Sequence, residues 1–344
     1  MNGIDYLLDL NRRNSREFIA SGLDRKRYRA LYPTEITALK CMDGRLHLPV
    51  TTNTLMGIIQ PYRNIGGRFN LGWPFFNILI SGWKDYITDR GRDGLVLATY
   101  HFSRGNEHRG CAGFNYDTHA AESASRALRD QFNEVFQHHT VFAIQIGIET
   151  DEDAILFHGT NGGVLDLSRV EKNDNEEILA AIQNLYPDIP LRVVKDLIPI
   201  VSGNIEHIRK IRDSKRPIQE AEHRESIIGV GRGFDWLHEP NIALLIGPYD
   251  PKFEQAITTA AKVVFANIEA GRIDPKNGVV LLTAAPYREP SGPDQEIARV
   301  KAQEQQKQAR EVIEQTVPEL LPHLQYLTVT VDMGTRAFNF IQRS

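Results

Sequence analysis

Two cysteines and one histidine hold most of the chemistry that this sequence could perform. Cys41 and Cys111 are its only cysteines. Cys41 directly follows TEITALK at 34–40, an alternating apolar run bounded by Pro33 that predicts a strand. His101 ends a second run, LVLATY at 95–100, which Gly94 opens and which reads as a buried strand. Cys111 lies in the loop that follows, in H-R-G-C-A-G. The carboxyl ends of neighbouring parallel strands converge on a crevice, the usual ligand site of α/β proteins. Two thiolates and an imidazole there suit zinc. Three protein ligands leave the fourth tetrahedral position open, which is a catalytic pattern rather than a closed structural one, and water held there ionises near pH 7. Two plainer readings stand beside this one. Lone cysteines are often core residues, and a disulfide would need an oxidising compartment.

The context of Cys41 is C-M-D-G-R. With alternating direction, Cys41, Asp43 and Arg45 share one side of the chain just beyond the strand, and an arginine two residues on can tether a carboxylate bidentately. A surface ion pair worth little is the alternative. Gly66 and Gly67, in RNIGGRF at 63–69, either let backbone N–H groups approach the site or simply make a turn. His138, His139 and His158 read as helix-end or strand surface residues.

The elements that must position these groups follow a simple pattern. Residues 4–30 predict helix, with Asn14 or Ser15 capping a second one. Helices are expected over 71–88 and 119–137, and strands over 140–148 and 154–158, separated by the acidic turn ETDED. Strands alternating with helices mean α/β with a largely parallel sheet. Residues 161–235 read as a largely helical connector whose charge-rich tract, EHIRKIRDSKRPIQEAEHRES, is a solvated helix face.

The pattern then returns. PNIALLIGPYDPK at 240–252 lies over PTEITALKCMDGR at 33–45, and NGVVLLTAA at 277–285 over DGLVLATYH at 93–101. A polar helix at 294–317 replaces that at 119–137, and LQYLTVTVDMGTRAFNF at 324–340 lies over VFAIQIGIETDEDAILF at 141–157. Three matches in order point to a diverged internal duplication, although any two α/β domains look alike at this level. In this alignment Pro248 replaces Cys41 and Ala285 replaces His101, so the second copy is metal-free. The expected organisation is an N-terminal helical segment (1–32), a zinc-binding domain (33–160), the connector (161–235) and a degenerate repeat (236–344). A pseudo-twofold between the copies would bring His238, in DWLHEP, near the metal cleft as a proton relay or bicarbonate contact, unless its role is structural.

These motifs together carry a family resemblance. CMDGR resembles the C-x-D-x-R motif of β-class carbonic anhydrases, RNIGGR their R-N-x-G segment, and the residues around Cys111 their H-x-x-C-G-G. LLDLNRRNSREFIASG is similar to that family's N-terminal helix. The metal-free repeat, GVGRGFDWLHEPN and IETDEDAILFH resemble the carboxysomal shell carbonic anhydrase subfamily. The resemblance implies a β-carbonic-anhydrase-like, internally duplicated α/β fold and reversible hydration of CO2 to bicarbonate and a proton. Zn²⁺ on Cys41, His101 and Cys111 would supply the hydroxide. Asp43 would orient it, and Arg45 would keep Asp43 off the metal. His108 satisfies the family's His-x-x-Cys spacing, but His101 sits where the ligand follows its strand and is preferred. Phe69, Leu71 and Trp73 are candidate walls of an apolar CO2 cleft. The expected partners are CO2 and bicarbonate, a homo-oligomer (dimer or higher), and the carboxysome shell or Rubisco. A catalytically silent, zinc-containing scaffold or shell-associated protein is the alternative.

Composition narrows the rest. The 344 residues are 41% hydrophobic and 24% charged, with a net charge of −4 and a pI near 6.3. The acidic balance argues against nucleic acid as a partner. No apolar run approaches the roughly 20 residues a membrane span needs. The start, MNGIDYLLDLNRRNSREF, turns polar after two leucines, and no signal peptide is readable. A cytoplasmic location is expected, with a carboxysome interior as the specific alternative; only 40 residues precede Cys41, fewer than the subfamily's encapsulation extension. Phosphate loops, nucleotide fingerprints and Ser-His-Asp signatures are absent.

Overall fold

The computed structural model describes residues 3–136, 140–289 and 292–343. The expectations for His138 and His139 fall outside the described residues. The chain divides into two compact units. One holds Leu23–Cys41 and Leu46–Glu222; the other holds the N-terminus to Gly22, Met42–Arg45 and the chain from His223 onward.

The first helices are α1 (Gly3–Ala20) and α2 (Gly22–Leu31). The break therefore falls at Ser21, not at Asn14 or Ser15. Those two are buried within α1 instead, where the Asn14 amide donates to the Trp236 carbonyl and the Ser15 hydroxyl to that of Thr335, both at 2.9 Å. Polar side chains survive on a buried face when each finds such a partner.

The first unit is built on β1 (Glu35–Cys41), α3 (Leu48–Thr51), β2 (Ile59–Asn64), α4 (Pro74–Thr88), β3 (Gly94–Phe102), α5 (Thr118–Phe136), β4 (Val141–Glu149), β5 (Ala154–His158) and β6 (Val164–Asp166). Its sheet runs β2-β1-β3-β4-β5-β6. The first four strands are parallel, and β5 and β6 are antiparallel. Every residue of β1 and β4 is buried. Strands covered on both faces read as continuous apolar runs, which is why these were visible in the sequence. Phe76 of α4 and Phe132 of α5 are fully buried, with ring centroids 6.5 Å apart. Burying each ring contributes on the order of 2–3 kcal/mol. Then come α6 (Asn175–Leu185), α7 (Leu191–Ser214) and α8 (Ile218–Ala221). The charged tract here is not only a solvated face: Arg212 pairs with Glu152 at 2.7 Å, and Arg216 and His207 pair with Asp153 at 2.8 and 3.0 Å.

The second unit contains β7 (Ile227–Gly231), β8 (Ala243–Ile246), α9 (Glu254–Glu269), β9 (Val279–Tyr287), α10 (Pro293–Thr316), β10 (Leu324–Asp332) and β11 (Phe338–Arg343). Its order is β8-β7-β9-β10-β11, with only β11 antiparallel. This is the order of β2-β1-β3-β4-β5. The sequence alignment of the two halves needs one correction. Its first segment placed β8 over β1, but β7, inside the stretch read as connector, is the strand between β8 and β9. Ile36 pairs with Leu95, and Ile227 with Val280. With β9 laid on β3 as aligned, Ile227 takes the place of Thr37 and Gly231 that of Cys41. Gly231, not Pro248, therefore stands where the first cysteine would be. The strand was missed because IIGVG is five residues long, holds two glycines and abuts the charged tract. No helix among the described residues is long and apolar enough to cross a membrane.

Candidate metal centre

Cys41 is the last residue of β1, His101 lies one residue from the end of β3, and Cys111 opens a short 3-10 turn, Ala112–Phe114. The structure gathers all three. Their ligand atoms lie within 4.8 Å of one another, and the side chains are 5%, 1% and 3% exposed. The two cysteine Sγ atoms lie 3.9 Å apart, far beyond the roughly 2.05 Å of a disulfide. Two thiolates about 2.3 Å from one tetrahedral zinc would stand roughly 3.8 Å apart, so the donor set fits that ion. His108 is not gathered with them. It is exposed, with its ring edge-on to Tyr116 at 5.2 Å.

The glycine-rich motifs explain how Cys111 reaches Cys41. Gly67 has φ +64, and a Cβ there would stand 3.0 Å from the Thr99 carbonyl and 3.3 Å from the Cys41 nitrogen. A glycine thus lets the turn after β2 lie against the ends of β1 and β3. A Cβ on Gly113 would lie 2.7 Å from the Gly66 nitrogen, so the RNIGGR and GCAG segments touch through bare backbone. Arg68 fastens them, donating to the Gly113 carbonyl at 2.7 Å and stacking 4.2 Å over the Phe114 ring. Phe69 and Leu71 are buried and Trp73 is half-buried; the Phe69 ring packs 5.0 Å from Phe76.

Asp43 and Arg45 belong to the other unit, where they form a buried pair rather than a surface one. Asp43 Oδ1 accepts from the Arg45 backbone N–H at 2.9 Å and from Nε at 3.0 Å, while Oδ2 accepts from Nη2 at 2.6 Å. Two residues not anticipated from the sequence complete the network. His223 Nε2 lies 3.0 Å from Arg45 Nη2, and its Nδ1 lies 3.0 Å from Glu225 Oε2. The Gly44 N–H donates to Glu225 Oε1 at 3.1 Å. A Cβ on Gly44 would meet the Ala243 carbonyl at 2.7 Å, so the G of CMDGR is needed for this close approach.

Burial alone would lower the His223 pKa, but the Glu225 carboxylate, aided by Asp43, outweighs burial and Arg45 and raises it. Burial likewise works to raise Glu225, and His223 turns that shift downward. Arg45 can only donate, so its contact requires Nε2 to accept; the Nδ1–H ring, donating to Glu225, is the form that fits the observed contacts. Asp43, His223 and Glu225 have the spacing of a cation site. The Arg45 guanidinium already sits against two of them and supplies the positive charge. His238 is half-buried in the same unit, and its backbone N–H donates to the Trp236 carbonyl at 3.0 Å. His158 is not simply a surface residue: its Nε2 lies 2.9 Å from the Tyr100 hydroxyl.

Residues 83–209 match the family model described as the carboxysome shell carbonic anhydrase catalytic domain. The chain is 27% identical over 239 residues to a carboxysome shell carbonic anhydrase of Prochlorococcus marinus (strain MIT 9313), covering 59% of this chain and 45% of that protein. It is 25% identical over 241 residues to one of Parasynechococcus marenigrum (strain WH8102), covering 59% and 40%. The chain thus spans less than half the length of these relatives. The resemblance to the carboxysome shell carbonic anhydrases is borne out: over residues 83–209, a stretch that holds GCAG, the chain is similar to the catalytic domain of that family.

Proposed function

We propose that the protein is a zinc carbonic anhydrase catalysing the reversible hydration of CO2 to bicarbonate and a proton. The observation that carries this reading is the buried Cys41–His101–Cys111 set, three donors with a thiolate spacing suited to one tetrahedral ion. These side chains would hold Zn²⁺. When bound there, the metal lowers the pKa of water at its open position to about 7, supplying a nucleophile at neutral pH.

The chain's own residues do the rest. Asp43, two residues beyond Cys41, offers a carboxylate that accepts a hydrogen bond from the attacking group and orients it. Arg45 grips that carboxylate at both oxygens, keeping it ionised and away from the metal. His223 and Glu225 hold Arg45 in turn. Phe69, Leu71 and Trp73 are assigned to the apolar wall that admits uncharged CO2. His238 is assigned a proton-relay role on its place before the second repeat. The relatives' names extend the proposal to residence in or at a carboxysome, as a homo-oligomer with the shell or Rubisco as partners. Structural zinc in a silent scaffold would not require the buried dyad, which favours the catalytic reading.

The test is CO2 hydration by stopped flow on the full chain, with metal analysis. We expect about one zinc per chain, loss of activity with a chelator, and recovery on zinc addition. A zinc-loaded protein no faster than buffer would sink the catalytic reading and leave the scaffold.

A further inference from the structure

Nine residues separate His101 from Cys111, and they form a loop dense in glycine and charge. A metal ligand at the far end of such a loop has to be held in place by something else. One carboxylate grips the loop at three points. Asp151 Oδ2 accepts from the Ser103 hydroxyl at 2.7 Å and from the Gly105 N–H at 2.8 Å. Its Oδ1 accepts from Arg109 Nε at 3.0 Å and lies 2.9 Å from Nη2. Arg109 is two residues from Cys111 and 9% exposed. The grip leaves no space: a Cβ on Gly105 would lie 2.6 Å from Arg109 Nη2 and 3.2 Å from Asp151 Oδ2.

Asp151 is itself fixed. It lies in the turn at 150–153 between β4 and β5. Glu149 accepts from the Asp151 and Glu152 N–H groups at 3.0 and 2.9 Å, and from the Arg104 N–H at 3.2 Å. Arg216 donates to the carbonyls of Thr150 and Asp151 and pairs with Asp153. The Thr150 hydroxyl donates toward the Phe102 carbonyl at 3.2 Å. The Glu152 carboxylate points elsewhere and pairs with Arg212 of α7.

We propose that Asp151 is the positioning residue for Cys111, holding the loop between two metal ligands through Ser103, Gly105 and Arg109 without touching the ligands itself. Through Asp151 the acidic turn is then part of the metal centre's support. The inference rests on reading Cys41, His101 and Cys111 as the metal site.

The test compares the full-length wild type with Asp151→Ala and Glu152→Ala. Zinc release to a chromophoric chelator is followed, along with the thiolate-to-metal absorption of the Co²⁺-substituted protein; far-UV circular dichroism checks the fold. We expect Asp151→Ala to release zinc roughly tenfold faster or more, the size of effect seen when support beyond the ligands is removed, with a weakened thiolate band. Glu152→Ala, altered one residue away, should match wild type in both. Wild-type release and an unchanged band in Asp151→Ala would overturn the proposal. If that variant does not fold, Arg109→Lys, which keeps the charge but loses the two-point grip, is read against the same two outcomes. A wild-type chain that takes up neither metal would instead sink the metal reading.

Discussion

The two sheets run in the same strand order and differ at their carboxyl ends. In the first, Cys41 ends β1 and His101 lies one residue from the end of β3. In the second, β7 and β9 offer Gly231 and Ala285 at the matching places, and neither side chain can ligate. Gly231 has φ +125, and a Cβ there would stand 1.9 Å from the Ala284 carbonyl. That place has no room for a cysteine, nor a backbone suited to one. The comparison separates two requirements. Strand order is kept by pairing and by buried apolar side chains along the strands. Chemistry depends on the few residues just past them, which can be lost while the sheet remains.

The comparison is tested most severely at the ligands. We expect His101→Ala and Cys111→Ser to lose zinc and essentially all CO2 hydration, while His108→Ala changes little. Zinc and activity retained in His101→Ala but lost in His108→Ala would move the ligand into the loop. A stoichiometry of two zinc ions per chain would restore a site to the second unit and break the contrast between the sheets.

The dyad comes next. Asp43→Asn leaves all three ligands in place and should keep zinc, yet lower the hydration rate by roughly 10²–10³, about 2–4 kcal/mol of lost transition-state stabilisation. Arg45→Ala should also keep zinc and run slowly, because the freed carboxylate can take the open position. Metal content and rate measured on the same preparations check both.

A smaller effect is expected one step further out. His223→Ala removes one contact of Arg45 and leaves Asp43 in place, so we expect a loss of about tenfold, the order of one net hydrogen bond. A rate equal to wild type would remove His223 and Glu225 from the support of the dyad.

The gentlest test uses pH. Burial pushes the Glu149 carboxyl up to about 7, against the backbone N–H groups that favour its charged form. A raised carboxyl pKa means the folded chain binds the proton more tightly than the unfolded chain. Its contribution to stability is therefore present below pH ~4.5 and fades as pH rises toward about 7, by on the order of 3 kcal/mol. Denaturant titrations of wild type and Glu149→Gln between these values should diverge by that trend. Parallel curves would place Glu149 in an ordinary carboxylate environment.

How legible all this was follows from where the information lies. The strands β1, β3 and β4 are buried on both faces, so their apolar runs stood out, and the strand-end residues Cys41 and His101 followed from them. The break between α1 and α2 was misplaced because Asn14 and Ser15, good caps by type, spend their hydrogen bonds on Trp236 and Thr335, more than 200 positions away. β7 was missed because a five-residue strand with two glycines has too little periodicity to stand out. His223 and Glu225 were hidden for a different reason. They lie in a tract whose charges suggest solvent, and only tertiary structure turns His223 onto Arg45 and Glu225 onto His223 and the Gly44 N–H.

The four residues Met42–Arg45 leave one unit for the other between Cys41 and Leu46. In the second unit the Leu245 N–H donates to the Met42 carbonyl at 2.9 Å and the Asn241 N–H to that of Gly44 at 2.7 Å. In terms of inheritance, the halves of the gene are interleaved. An early codon stretch specifies Asp43 and Arg45, but their sockets are written some 180 codons later. Recombination that swapped or discarded the later half would orphan a motif in the earlier one. The later stretch therefore carries the contacts that hold Asp43 and Arg45.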